Sequence, residues 1–316
     1  MMQEVTIYPG EGEHRRNTTL PPGANDAMVI EMWLRAHRSP RTRDAYHTDI
    51  TDLFDFTGNK ALQELTLLDL LDFEAHLTQE GRRIASIARK LSAVKSLLTF
   101  CYKAGYTQVN VGAAFTLPPV ETRLAERIMS ESQVLTMLAL ETDPRNHAML
   151  RLLYNAAVRV SELCALTWND LQSNEKGGQV HVFGKGGKER YILISKETYE
   201  ELQALRQNAL DFAPIFQSRK STKSGFLERG QVYKIVERAA IKAGIAVYSE
   251  TNKEGPEVKR SRVSPHWIRH AHASHAIDRK APVTLVRDTL GHASIATTNK
   301  YSHARPGESS GTFLAI

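Results

Sequence analysis

Two adjacent prolines, Pro118 and Pro119, interrupt the stretch NVGAAFTLPPVETRLAER at residues 110–127, between two long regions of helical periodicity. A proline lacks the backbone N–H that a helix needs and its ring clashes with the preceding turn, so no helix runs through this pair. The small and polar residues around it favour an extended connection. The chain is therefore expected to fold as two bodies, and 316 residues are enough for each to bury its own core. The expected organisation is an arm at 1–25, rich in Gly, Pro, Glu and Arg, then a helical domain at 26–109 and a linker at 110–128. A second domain at 129–305 and a tail at 306–316 complete it.

The first body reads as four helices. Ala27, Ile30, Trp33 and Leu34 recur at helical spacing, and Ser39-Pro40 breaks the run. A second helix is expected over residues 42–56, with Tyr46, Ile50, Leu53, Phe54 and Phe56 as its apolar side. A third covers 66–77, and a fourth covers 84–102, where Leu91, Val94, Leu97, Leu98 and Cys101 share a face. Between Gly81 and Val120 there is no Asp or Glu, while Arg82, Arg83, Arg89, Lys90, Lys95 and Lys103 all fall there. A solvated helix face is the usual fate of a charge run. Such faces normally mix signs, however, and a run of one sign favours a surface that tracks phosphates. Arg41 and Arg43 extend it.

Composition narrows the class only slightly. The net charge of +6 suits an enzyme surface as well as a nucleic-acid partner. Cys101 and Cys164 each lie in an apolar helical pattern, which argues against a disulfide framework or a cysteine zinc site and fits a reducing compartment. No leader-like or membrane-length apolar segment is evident. A soluble cytoplasmic protein with no membrane partner is expected.

In the second body Ser130 and Gln133 form a capping-box pattern, and Asp143-Pro144 starts another helix. In the following segment, NAAVRVSELCALTWNDL, Arg159 falls at a break between helices; as a residue by itself it reads as a structural arginine paired to Glu162. Residues 179–183 and 191–194 alternate as strands joined by GKGGKER, whose glycines mark a hairpin carrying Lys185. Lys188 and Arg190 on that hairpin are expected to contact backbone phosphates. The glycine spacing is too short for a P-loop, which ends in Lys-Ser/Thr at a helix start. Helices are expected at 196–208 and 230–243, and a flexible polar loop at 249–264.

Ser264-Pro265 then starts a helix on which His266 and Arg269 lie one turn apart near its positive end, an arrangement suited to a phosphate. His266 and His270 have the spacing of a zinc-protease pair, but Trp267 stands where that motif requires Glu, so no metal site is expected, and helix packing or local hydrogen bonding is expected of His270, His272 and His275. Gly291 ends a helix just before His292, and Tyr301 follows a segment opened by Ser294.

RVSEL with LTWNDL, GKGGKER, HWIRH, LGH and KYSH, in this order, resemble the tyrosine recombinase (phage integrase) family, most closely its two-domain Xer-like members. The resemblance implies a mainly α fold with a small β-hairpin or sheet. It implies a four-helix core-binding domain followed by an α+β catalytic domain, the two closing round a duplex. Arg159, Lys185, His266, Arg269, His292 and Tyr301 would be catalytic, with Tyr301 as nucleophile, its pKa lowered by nearby arginines and its proton accepted by His266, and with Lys185 as general acid. The implied activity is cleavage and rejoining of DNA through a 3′-phosphotyrosyl bond, with a Holliday-junction intermediate and no metal, ATP or other cofactor. Double-stranded DNA with recombination sites would be the partner, bound by a homotetramer or a heterotetramer with a related recombinase, in association with the nucleoid. The apolar tail GTFLAI would dock on a neighbouring protomer. One position departs from the family, Ala157, where Gly is usual. A type IB topoisomerase or hairpin resolvase would use the same residue types, and an inert DNA-binding regulator would keep the fold without the chemistry.

Overall fold

Asn25, in extended backbone, accepts the Met28 N–H at 3.0 Å and so starts α1 (Asp26–Ala36). The computed structural model describes residues 19–120, 124–184, 187–219, 225–251 and 257–304. Pro40 opens the second helix as well as closing the first. It takes the first position of α2 (Pro40–Thr57), where a missing N–H costs no bond, and Ser39 caps it. A reciprocal capping box between Thr66 and Asp69 starts α3 (Leu67–Gln79). The fourth helix, α4 (Ile84–Lys103), is the core element of this unit. It buries Leu91, Val94, Leu97, Leu98 and Cys101 against α2 and α3.

The expected linker begins later than residue 110. One helical turn, α5 (Val111–Ala114), folds back on α4, and Phe115 is buried in the first core with Val111 and Leu117 against it. An aromatic side chain at 115 gains more from that core than from solvent. The chain divides into two compact units at residues 122–123.

In the second unit α6 (Glu131–Ala139), α7 (Pro144–Asn155) and the short α8 (Val160–Ala165) share one core with an antiparallel sheet. The sheet has three strands, not the expected two: β1 (Leu171–Asn174), β2 (Gly177–Phe183) and β3 (Glu189–Ile194), in the order β1-β2-β3. Val180 pairs with Ile192 and His181 with Tyr191. Val180, Val182, Ile192 and Ile194 therefore face the core, while Tyr191 and Leu193 face out. Then come α9 (Lys196–Arg206) and α10 (Arg229–Lys242).

The segment expected as a flexible polar loop instead begins and ends as strands, β4 (Val247–Thr251) and β5 (Glu257–Ser261), paired antiparallel with each other. Its alternation is masked by charges on both faces. α11 (Pro265–Asp278), α12 (Val283–Leu290) and α13 (Ile295–Ala304) complete the described fold. Ser264 holds the N-cap position of α11 without the side-chain hydrogen bond expected of it, so Pro265 supplies the start signal alone. A small second cluster, formed by Ile128, Ala157, Ala273, Val286, Leu290 and Tyr301, lies beside the main core.

Candidate active site

Five elements bring the chemistry together: the break between α7 and α8, the β2–β3 hairpin, the start of α11, the end of α12, and α13. Arg159 sits at the break, with extended backbone at the N-cap position of α8. The pairing with Glu162 expected of it is present. Its Nη1 donates to Glu162 Oε1 at 2.8 Å and its N–H to Oε2 at 2.7 Å, while Nη2 donates to the Gly291 carbonyl at 2.9 Å. Its guanidinium also lines an open cleft of about 800 Å³ together with Gly184, Lys188, Arg190, Gly291 and His292.

Glu162 was foreseen only as a pairing partner, and it is more than that. It is buried, and although burial opposes its charge, hydrogen bonds from Arg190 and Arg159 hold its pKa down to about 2. It is an anion that orients cations.

Arg269 is buried on α11 and donates to the carbonyls of Ala157 and Leu290. Burial, then the charge of Arg159, pushes its pKa down to about 10, which leaves it protonated near neutrality. Ala157 adopts φ +47°, in the left-handed region that favours glycine. The loop thus keeps a glycine-like conformation despite its methyl group, which packs among Tyr301, Val286 and Leu290.

Gly291 ends α12 at φ +61°, and His292 follows. His292 Nδ1 lies 2.9 Å from Thr298 Oγ1 of α13. Burial, then Arg269 and Arg159, push its pKa down to about 4, so the ring is neutral at pH 7.

Tyr301 departs from its expectation in two respects. Its hydroxyl pairs with His270 Nδ1 at 2.7 Å, whereas His266 was expected to receive its proton. The His266 ring lies next to this pair, 4.1 Å from the His270 ring centroid. Neighbouring arginines were also expected to lower the phenol's pKa. Burial raises it, and Arg269 offsets only part of that rise. Apolar walls from Ile128, Ala157, Ala273 and Val286 surround the ring, and the desolvation outweighs one cation already engaged with carbonyls. His270, singled out in sequence only for packing, is therefore the imidazole that meets the Tyr301 hydroxyl. Its one signal is a position one turn beyond His266.

Burial, then the neighbouring imidazole and cations, pushes His270 down to about 3, so its ring is neutral near pH 7. Burial, then Arg269, also lowers His266. His272 and His275 do what was expected of them. His272 bonds the Tyr154 carbonyl and His275 the Tyr154 hydroxyl, which tie α11 to α7, and His275 also bonds the Met129 carbonyl just before α6. Lys185, the expected general acid, lies outside the described residues, as do 1–18 of the arm and the tail 306–316.

The expected basic stripe of the first unit is narrower than its sequence. Lys90 is buried and pairs with Asp49 at 3.3 Å and with Asp52. Lys95 donates to the Phe115 carbonyl and rests over that ring. Neither presents its charge to a phosphate. Acidic partners from α2, absent from the counted stretch, take the charges that one-sign counting left open. Arg89 is half exposed but shares Asp49. Arg82, beside Glu80, and Arg83, Arg41 and Lys103 are exposed; Arg43 is half-buried and donates to the His37 carbonyl at 3.3 Å. Lys188 is exposed on the cleft wall. Arg190, expected on a phosphate, is only 13% exposed and is bonded to Glu162.

The phage integrase family model matches residues 125–308, and the phage integrase N-terminal SAM-like domain model matches residues 29–105. A tyrosine recombinase XerC from Xylella fastidiosa (strain M23) is 30% identical over 277 residues, covering 84% of this chain and 86% of that protein. A tyrosine recombinase XerD from Haemophilus influenzae is 29% identical over 292 residues, covering 88% of this chain and 92% of that protein. In fold, the chain is similar to a lambda integrase tetramer bound to a Holliday junction, with a TM-score of 0.64 at 17% identity over 86% of this chain and 78% of that one. With both of its units matched in order, the chain belongs to the phage integrase family and is a tyrosine-type site-specific recombinase.

Proposed function

We propose that Tyr301 is the nucleophile of this recombinase and that Arg159, Arg269, His292 and Lys185 act with it on one DNA phosphodiester. The observation that carries this reading is the convergence of Arg159, Arg269 and His292 on the end of α12, with Tyr301 packed on the same helix. Phosphodiester cleavage loads charge onto the non-bridging oxygens, and two guanidiniums are suited to those oxygens. In the tautomer whose Nδ1 accepts from the Thr298 hydroxyl, neutral His292 keeps a proton on Nε2 to donate to the same oxygens.

The Tyr301 oxygen attacks phosphorus and the bond to O5′ breaks. The phenol's proton passes to an imidazole, His266 or the His270 it already touches, and Lys185 gives a proton to the departing O5′. The new 3′-phosphotyrosyl bond conserves the energy of the broken one, so a 5′-hydroxyl from a second duplex reseals the strand without ATP. The buried tyrosine and its His270 contact form a resting arrangement that must open before attack.

The substrate is double-stranded DNA bearing two recombination sites. Four protomers act together, as in the lambda integrase tetramer, and a related recombinase supplying two of them is the mixed form of that assembly. Among the described residues no helix is long and apolar enough to cross a membrane, in keeping with action on DNA in the cytoplasm. Exposed Arg41, Arg82, Arg83 and Lys188 remain the DNA-binding candidates, and the tail at 306–316 remains the candidate contact to a neighbouring protomer.

A nicked duplex carrying a site selected by this chain from a random duplex library tests the reading, because the nick lets the 5′-fragment escape and traps the intermediate. The wild-type chain is expected to give a denaturant-resistant protein–DNA complex in the presence of chelator. Tyr301→Phe is expected to bind the duplex and give none; a complex with the phenylalanine form would overturn the assignment.

A further inference from the structure

Arg190 carries a charge that neither the proposed reaction nor the packing of the core requires. It lies on β3 opposite Val182, on the sheet face where Val182 and Ile192 are buried in the core. Its guanidinium meets Glu162 in two parallel contacts, Nη1 to Oε1 at 3.0 Å and Nη2 to Oε2 at 2.9 Å. Arg159 donates to both of the same oxygens. The carboxylate therefore receives four donors, two from each arginine, and the forked edge of Arg190 that would grip a phosphate is occupied.

The end of α12 completes the arrangement. Three consecutive carbonyls there each accept from a different arginine: Thr289 from Arg190 Nε at 2.9 Å, Leu290 from Arg269, and Gly291 from Arg159. The last carbonyls of a helix have no partner within it and form its negative end, so cations are favoured there. These cations come from three elements, the β2–β3 hairpin, α11 and the α7–α8 break. Gly291 is shaped to the arrangement too, because a Cβ at that position would stand 3.1–3.3 Å from the Arg190 guanidinium.

We propose that Arg190 is a positioning residue: through Glu162 it fixes the guanidinium of Arg159, and through Thr289 it fixes the end of α12 that leads into His292, without itself touching DNA. The inference rests on the strand-cleavage reading above and deepens it. It gives β3 a task distinct from that of the hairpin tip.

The test uses the full chain as wild type, Arg190→Gln and Arg190→Lys on the selected nicked duplex, with either an ordinary phosphate or a methylphosphonate at the scissile position. Affinity, its salt dependence and the rate of covalent-complex formation are measured. Arg190→Gln is expected to bind within about twofold of wild type with an unchanged salt slope. Its covalent complex should form at least about tenfold more slowly, the loss of one step of transition-state charge stabilisation. Part of that loss should return on the methylphosphonate, which carries one charge fewer for a misplaced Arg159 to neutralise. Arg190→Lys keeps a cation beside Glu162 without the fork and should show a smaller defect of the same kind, so it decides the matter if the glutamine form does not fold.

A salt slope lower by about one would make Arg190 a phosphate contact and overturn the inference. So would wild-type cleavage by both variants, or an equal loss on both substrates. A wild-type chain that forms no covalent complex would overturn the cleavage reading, and the inference with it.

Discussion

His270 places a pH dependence on the second unit. Its pKa falls from the ordinary 6.5 to about 3, through burial first and the adjacent His266 and arginines next. An unfolded chain therefore takes up a proton below about pH 6.5 that the folded chain refuses until near pH 3. Stability is full above the unfolded value and declines as pH falls through that window. At pH 5 the cost is about 1–2 kcal/mol for this group. Urea unfolding at pH 7.5 and pH 5 should show that decrease, and His270→Gln, which retains an acceptor for Tyr301, should flatten it. Equal slopes in the two proteins would contradict the buried neutral imidazole. At this scale the sequence was legible where a motif marks a position, as at Arg159, Arg269 and Tyr301, which the fold gathers at the end of α12. It was illegible where partner choice depends on packing. Whether Tyr301 meets His266 or His270 is decided by the seating of α13 on α11, which no spacing within α11 encodes.

Helices proved easier to read than strands, for a physical reason. α4 has one apolar stripe and one polar face, and residues such as Thr66, Ser130 and Gly291 mark where helices begin and end through their own hydrogen bonds or backbone angles. β1 is four residues of mostly polar sequence, and β4 and β5 carry charges on both faces, so period-two alternation is absent from them. The charge run of α4 illustrates the same limit. Lys90 looked like one cation among six, yet α2 supplies Asp49 and Asp52 to it. Removing one partner of a buried ion pair commonly costs 3–5 kcal/mol, and Arg89, which also reaches Asp49, offsets part of that. Lys90→Met should thus destabilise the first unit by about 2–3 kcal/mol in chemical denaturation while leaving the salt slope of DNA binding unchanged. A drop of about one in that slope with no loss of stability would restore the phosphate-binding reading.

Across the whole molecule, the helix break at the double proline was legible because proline geometry is local, and the chain divides a few residues beyond it, at 122–123. The linker's shortness was not legible, since Phe115 is recruited by a core formed earlier in the chain. What joins the scales is the end of α12, where arginines from elements far apart in sequence meet at successive carbonyls close to the tyrosine. The central claim is that Tyr301 holds the broken DNA end. Proteolysis of the trapped covalent complex, followed by mass spectrometry of the nucleotide-bearing peptide, tests it most directly. The adduct should map to Tyr301 alone; an adduct on any other residue would contradict the account.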